Sequence, residues 1–117
     1  EYVNAAGLTR VNRFSPKQMG QMLLTVQHDF RVFPEFLAAL PIGGTDGTLR
    51  SRMKNGAVGG GSIRAKTGLL DGVVGLAGFT GNADGAIHSF VFIFNGPPSR
   101  EVAARALFDR IADRLAN

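Results

Sequence analysis

A chain of 117 residues, 44% of them hydrophobic, is long enough for one small domain or a piece of a larger one, and too apolar for a disordered tail. It has no cysteine, which excludes disulfides, thiolate chemistry and cysteine-based zinc sites, and no apolar run reaches membrane-spanning length. The formal net charge of +4 comes mostly from scattered arginines, and the C-terminal ones alternate with Glu101, Asp109 and Asp113, which describes a solvated face of mixed sign rather than a nucleic-acid footprint.

Residues Glu1 to Phe14 form a short extended piece, in which "YVN" reads as strand, followed by a loop around Gly7. Ser15-Pro16 then supplies an N-cap and a proline at the first helical position. Met19, Met22, Leu23, Val26 and Phe30 follow helical spacing, predicting a helix from about Pro16 to Asp29. A second short helix opens at Pro34 and is stopped by Pro41. "GGTDGTLRSRMKNG" holds a turn at Asp46-Gly47 and one helical turn through Leu49 and Met53, and "AVGGGS" is a loop or hairpin tip.

From Ile63 onward the pattern turns to β. Val73–Thr80 and Ile87–Asn95 are apolar and separated by a Gly/Asn/Asp loop, predicting a three-strand meander. "FVFIFNG" is apolar on both faces, as a central strand covered on two sides would be. Ser99 is placed as the cap of a final helix whose inner side carries Val102, Ala103, Ala106, Leu107, Ile111 and Leu115.

Lys66 is the residue with chemistry. Gly60 to Thr67 approaches a phosphate loop, G-x-x-x-x-G-K-[ST], but Ala65 replaces the last glycine and a β-like segment follows where a helix must start. The other reading is K-T-G, Lys66-Thr67-Gly68, on a strand edge. His28 and His88 are far apart and lack ligand-like neighbours, so neither a metal nor another cofactor is expected.

Around K-T-G, the stretches "AGLTR", "SPKQM", "LPIGGTDGTLRSRM", "IRAKTGLLDGVVGLAGF" and "FVFIFNG" occur in an order that resembles the C-terminal part of D-alanyl-D-alanine carboxypeptidases of the penicillin-binding protein 4 type, serine peptidases of the S13 kind. The resemblance runs from about Val3 to the last helix. It implies an α+β fold, the C-terminal part of the β-lactamase/penicillin-binding domain, with helices packed on an antiparallel sheet. It implies that the complete protein trims peptidoglycan stem peptides ending in D-Ala-D-Ala through an acyl-enzyme, with endopeptidase activity open, and that it binds β-lactams. It also implies export to the periplasmic or cell-wall side of the membrane.

Under that resemblance Lys66 supplies a positive field for the terminal carboxylate and Thr67 hydrogen-bonds it. Gly68 leaves room for the acyl chain, and the Leu69 backbone N–H forms half of an oxyanion hole. Leu69 departs from the Ser or Thr usual there, and "NAAG" at Asn4 to Gly7 departs from a more polar loop. Arg10 is placed to meet the peptide's carboxylates, and Asp71 lies on the same side of the cleft. The nucleophile of an S-x-x-K helix and an S-x-N motif are not matched. "SRMK", Ser51 to Lys54, is a literal S-x-x-K only a dozen residues before K-T-G, where the resemblance puts a connecting segment.

The chain is therefore expected to be inactive alone and to need the N-terminal remainder of the enzyme. It starts at Glu1 without Met or a signal-peptide pattern, as a mature product or a piece of something longer would. Two other classes are a non-catalytic module that holds cell-wall peptide and, less favoured, a small basic nucleic-acid-binding protein.

Overall fold

In the computed structural model, which describes residues 1–54 and 62–117, the elements run helix, helix, three strands, helix. Helix α1, Pro16–His28, starts at the predicted cap. The Ser15 hydroxyl accepts from the Gln18 N–H at 3.2 Å and the Gln18 side chain accepts from the Ser15 N–H at 2.8 Å, so two otherwise orphaned donors are satisfied reciprocally. Helix α2, Phe33–Ala38, carries Pro34 in its first turn and ends before Pro41. The helical turn expected through Leu49 and Met53 is shorter, a 3-10 turn at Gly47–Leu49, because Met53 takes a left-handed φ of 54° that no helix continues. The "AVGGGS" loop falls outside the described residues apart from Ser62. "YVN" is extended without being a strand: residues 1–14 close on themselves, with Glu1 and Arg13 exchanging backbone hydrogen bonds of 2.8 and 2.9 Å.

Strands β1 (Ile63–Leu70), β2 (Val73–Gly81) and β3 (Ile87–Asn95) form an antiparallel meander in the order β1-β2-β3. β3 is thus an edge strand of the described sheet, not the central one its apolarity suggested. Its two faces are both covered all the same, by α1 on one side and by the C-terminal helix on the other, and coverage rather than position in the sheet sets hydrophobicity. One face carries Val74, Leu76, Phe90 and Phe92 and holds the core; the opposite face carries Lys66, Gly68, Gly75, Ala77, Val91 and Ile93.

Helix α3, Glu101–Leu115, corrects the sequence reading twice. Ser99 lies inside a preceding 3-10 turn, Pro98–Arg100, and makes no cap; the N-cap is Arg100. The buried stripe is Ala104, Phe108 and Ala112, continued by Ala116, whereas Val102, Leu107, Ile111 and Leu115 are exposed. The sheet decides this. Its core face already presents large rings, and Phe108 meets Phe92 at a centroid distance of 5.3 Å, so alanines on either side let the helix approach closely.

Arg52 and Asp109 clamp α3 to the segment ahead of β1, with Nη2–Oδ1 at 2.6 Å and side chains only 12% and 23% exposed. One turn later, Asp113 has a buried carboxylate oxygen without a hydrogen-bond partner among the described residues. Burial pushes its carboxyl above the ordinary carboxylate range, and the charge of Asp109 adds to the rise. A carboxyl that holds its proton more tightly when folded contributes most below its unfolded pKa, and that contribution is lost as pH rises through the raised folded value. Asp113→Asn should therefore raise the thermal midpoint of the protein at neutral pH, with the gain vanishing by about pH 3, where the aspartate is protonated in both states. A gain of equal size at both pH values would refute this account.

Candidate active site

The face of the sheet opposite α3 is floored by small residues. Gly68 faces Gly75 and Lys66 faces Ala77 across the β1–β2 pair. With α1 and the loop of residues 2–14 rising around this floor, a groove of about 1010 Å³ results, lined by Lys66, Gly68, Gly75, Ala77 and Arg10 among others. A Cβ at Gly68 would stand 4.0 Å from Gly75 Cα, so the trough has room above it.

The outer edge of β1 has two sections. At its start it is closed: the Ala65 N–H donates to Pro41 O at 3.0 Å and the Gly43 N–H donates to Ile63 O at 2.9 Å. Since the backbone groups of residues 63 and 65 point away from β2, alternation points those of Thr67 and Leu69 the same way. Here the edge is open among the described residues, and Leu69 is 58% exposed. The Lys66 ammonium reaches over this section and donates to Thr67 O at 2.8 Å, while the Thr67 hydroxyl donates to the Thr48 hydroxyl at 3.1 Å. A strand, not a helix, runs through Lys66 and Thr67, which is the wrong context for a phosphate loop.

Arg10 and Asp71, distant in sequence, meet at the mouth of the groove. Arg10 Nη2 donates to the backbone oxygen of Asp71 at 2.6 Å, and the carboxylate lies farther off at 3.5 Å. Both side chains are largely exposed, so the carboxylate contact is weak and the carbonyl bond is what positions the guanidinium. Asp71 sits on the β1–β2 turn with Gly72, whose φ of 76° favours glycine and where a Cβ would come within 2.7 Å of Gly96 O. Sequence reasoning found Arg10 and Asp71 separately; their pairing, and Thr48 beside Thr67, carried no local signal.

The family model for D-Ala-D-Ala carboxypeptidase 3 (S13) matches residues 2–117. The chain belongs to the S13 family. It is 35% identical over 96 residues to the D-alanyl-D-alanine carboxypeptidase DacB of Haemophilus influenzae, which takes in 80% of this chain and 19% of the relative. It is 32% identical over 104 residues to the carboxypeptidase DacB of Mycolicibacterium smegmatis, 84% of this chain and 23% of that one. Among solved structures it is similar to penicillin binding protein 4 (dacB) of Haemophilus influenzae in complex with a novel β-lactam, with a TM-score of 0.72 and 30% identity over 93% of this chain and 28% of that one. This S13 chain therefore has the fold of part of a DD-peptidase domain, an antiparallel sheet with helices packed on it, and spans about a fifth of the length of the curated relatives it matches.

Within this S13 chain "SRMK" does not form a nucleophile helix. Ser51 to Lys54 are turn and bend, Met53 is buried with its left-handed φ, and Arg52 is held by Asp109. Ser51 is not among the residues that line the groove. No helix among the described residues is long and apolar enough to cross a membrane.

Proposed function

We propose that this chain is the C-terminal part of an exported serine-type D-Ala-D-Ala carboxypeptidase, and that the open edge of β1 is the substrate-binding wall of its active site. The observation that carries the reading is the convergence of the Lys66 ammonium, the Thr67 hydroxyl and the outward backbone of Leu69 on one open strand edge beside a groove. An extended stem peptide adds to such an edge as a further strand. Its terminal carboxylate meets Lys66 and Thr67, and the Leu69 N–H donates to the scissile carbonyl oxygen as it becomes an oxyanion. A serine in the remainder of the enzyme attacks that carbonyl; the bond to the last D-Ala breaks, its nitrogen takes a proton, and water later hydrolyses the acyl-serine. β-Lactams acylate the same serine. Gly68 and Gly75 keep the floor low enough for the acyl chain.

Labelled penicillin tests this. The complete protein should take up one equivalent and release D-Ala from a stem peptide, and the 117 residues alone should form no adduct. A stoichiometric adduct on Ser51 would overturn the assignment of the nucleophile to the remainder.

Arg10 is the group that reads carboxylates farther along the stem. Among the described residues one of its five N–H donors is committed, to the Asp71 carbonyl, which leaves the rest of the fork for a ligand. Arg10→Ala in the complete enzyme should raise KM for a carboxylate-bearing stem peptide by about tenfold, the scale of a charge-assisted hydrogen bond, and leave a neutral thioester substrate nearly unchanged. Equal losses on both substrates would make Arg10 a structural tie between the N-terminal loop and the β1–β2 turn.

A further inference from the structure

We propose that Thr48 is a positioning residue for Thr67, whose hydroxyl it holds at the β1 edge and strengthens as a hydrogen-bond donor to the substrate carboxylate by donating to it when the carboxylate binds; the inference rests on the reading of the β1 edge given above. Thr48 stands in the 3-10 turn Gly47–Leu49, on a loop that is fastened at many points. The Ile42 N–H donates to the Asp46 carboxylate at 2.6 Å, Leu49 is fully buried, and Gly47, with φ of 50°, lies against Pro41. Two backbone bonds, from Ala65 to Pro41 and from Gly43 to Ile63, pin the same loop to β1 where its closed edge ends. The next outward position on β1 is Thr67, and there the loop offers not a backbone group but the Thr48 hydroxyl, 3.1 Å away.

Two hydroxyls in contact share one hydrogen bond and keep one proton to give elsewhere. When Thr67 donates to Thr48, it turns only lone pairs towards the edge and repels an anion. When Thr48 donates to Thr67, the Thr67 proton is free for a carboxylate, and the chain of two bonds is cooperative. Binding of a carboxylate therefore selects the second polarity, in which the bond from Thr48 polarises the Thr67 hydroxyl and strengthens its donation. The contact also holds the stiff, β-branched side chain of Thr67 in the rotamer that presents its oxygen at the edge. Thr48 touches no substrate itself; it acts through Thr67.

The experiment compares four variants of the complete enzyme, Thr48→Val, Thr48→Ser, Thr67→Val and the double valine, on a peptide ending in D-Ala-D-Ala and on the same peptide with a terminal carboxamide. Thr48→Val keeps the side chain's shape and removes the hydroxyl. It should lower kcat/KM on the acid about fivefold, mainly through KM, which is the effect of one ordinary hydrogen bond. The carboxamide should be nearly unaffected, Thr48→Ser should restore the parent value, and the double variant should lose no more than Thr67→Val alone. Equal losses on acid and amide, no rescue by serine, or additive losses in the double variant would each overturn the proposal and leave Thr48 as a loop anchor. If Thr67→Val affects the acid selectively and Thr48→Val does not, the inference alone fails. If Thr67→Val does not distinguish acid from amide, the role of Thr67 at the edge fails and the inference falls with it.

Discussion

Lys66→Ala in the complete enzyme should slow both D-Ala release and penicillin acylation by about a hundred- to a thousandfold, the cost of one preorganised electrostatic contact at a developing charge. The side chain is exposed and donates only to the neighbouring Thr67 carbonyl, so its removal leaves no buried group unsatisfied and the fold should persist. The position of the ammonium decides the size of the effect. It is drawn over the open section of the β1 edge, where a bound carboxylate and the oxyanion both gather negative charge, and it finds no carboxylate of its own among the described residues. Lys66→Arg should recover part of the loss, because it keeps the charge but replaces a compact ammonium with a planar fork. A rate within about threefold of the parent for Lys66→Ala would end the catalytic assignment, since an ammonium that merely reaches water contributes nothing like the effect of an oriented contact.

Gly78→Ala should be the most damaging glycine-to-alanine change among the described residues. Gly78 lies opposite Ala65 in a pair whose hydrogen-bonding groups point away from each other, the arrangement in which strands approach most closely. A Cβ there would stand 2.1 Å from Arg64 O and 2.6 Å from Ala65 Cα. The obstruction is backbone, which cannot swing aside as a flexible side chain would, so β1 has to move away from β2. Overpacking of this kind costs on the order of 1–3 kcal/mol, and the displaced strand is the one that carries Lys66, Thr67 and Leu69. The variant should show a lowered thermal midpoint together with lost acylation. Gly75→Ala is the comparison: its Cβ would meet nothing closer than 3.9 Å, so stability should hold while the filled trough slows substrate. An unchanged midpoint for Gly78→Ala would mean that the close approach of β1 and β2 does not constrain the fold.

The sequence alone was sufficient wherever the deciding interaction is local. Ser15, Pro16 and Gln18 lie within one turn, and their capping geometry places the start of α1. The strand meander follows from runs of β-formers broken by turn residues, and K-T-G on a strand follows from the apolar segment behind it. Several spaced motifs in order were likewise enough to indicate the S13 family. Other features were decided only by the tertiary structure. The apolar residues of α3 outnumber its Ala104–Phe108–Ala112 stripe, and it took the phenylalanine-rich face of the sheet to select alanine for burial. β3 has the composition of a central strand because two helices cover it, although it ends at an edge. Arg10 meets Asp71, and Thr48 meets Thr67, across sequence separations of 61 and 19 residues. Hydrogen bonds hold over tenths of an ångström, and only the packed chain brings such distant atoms within that range.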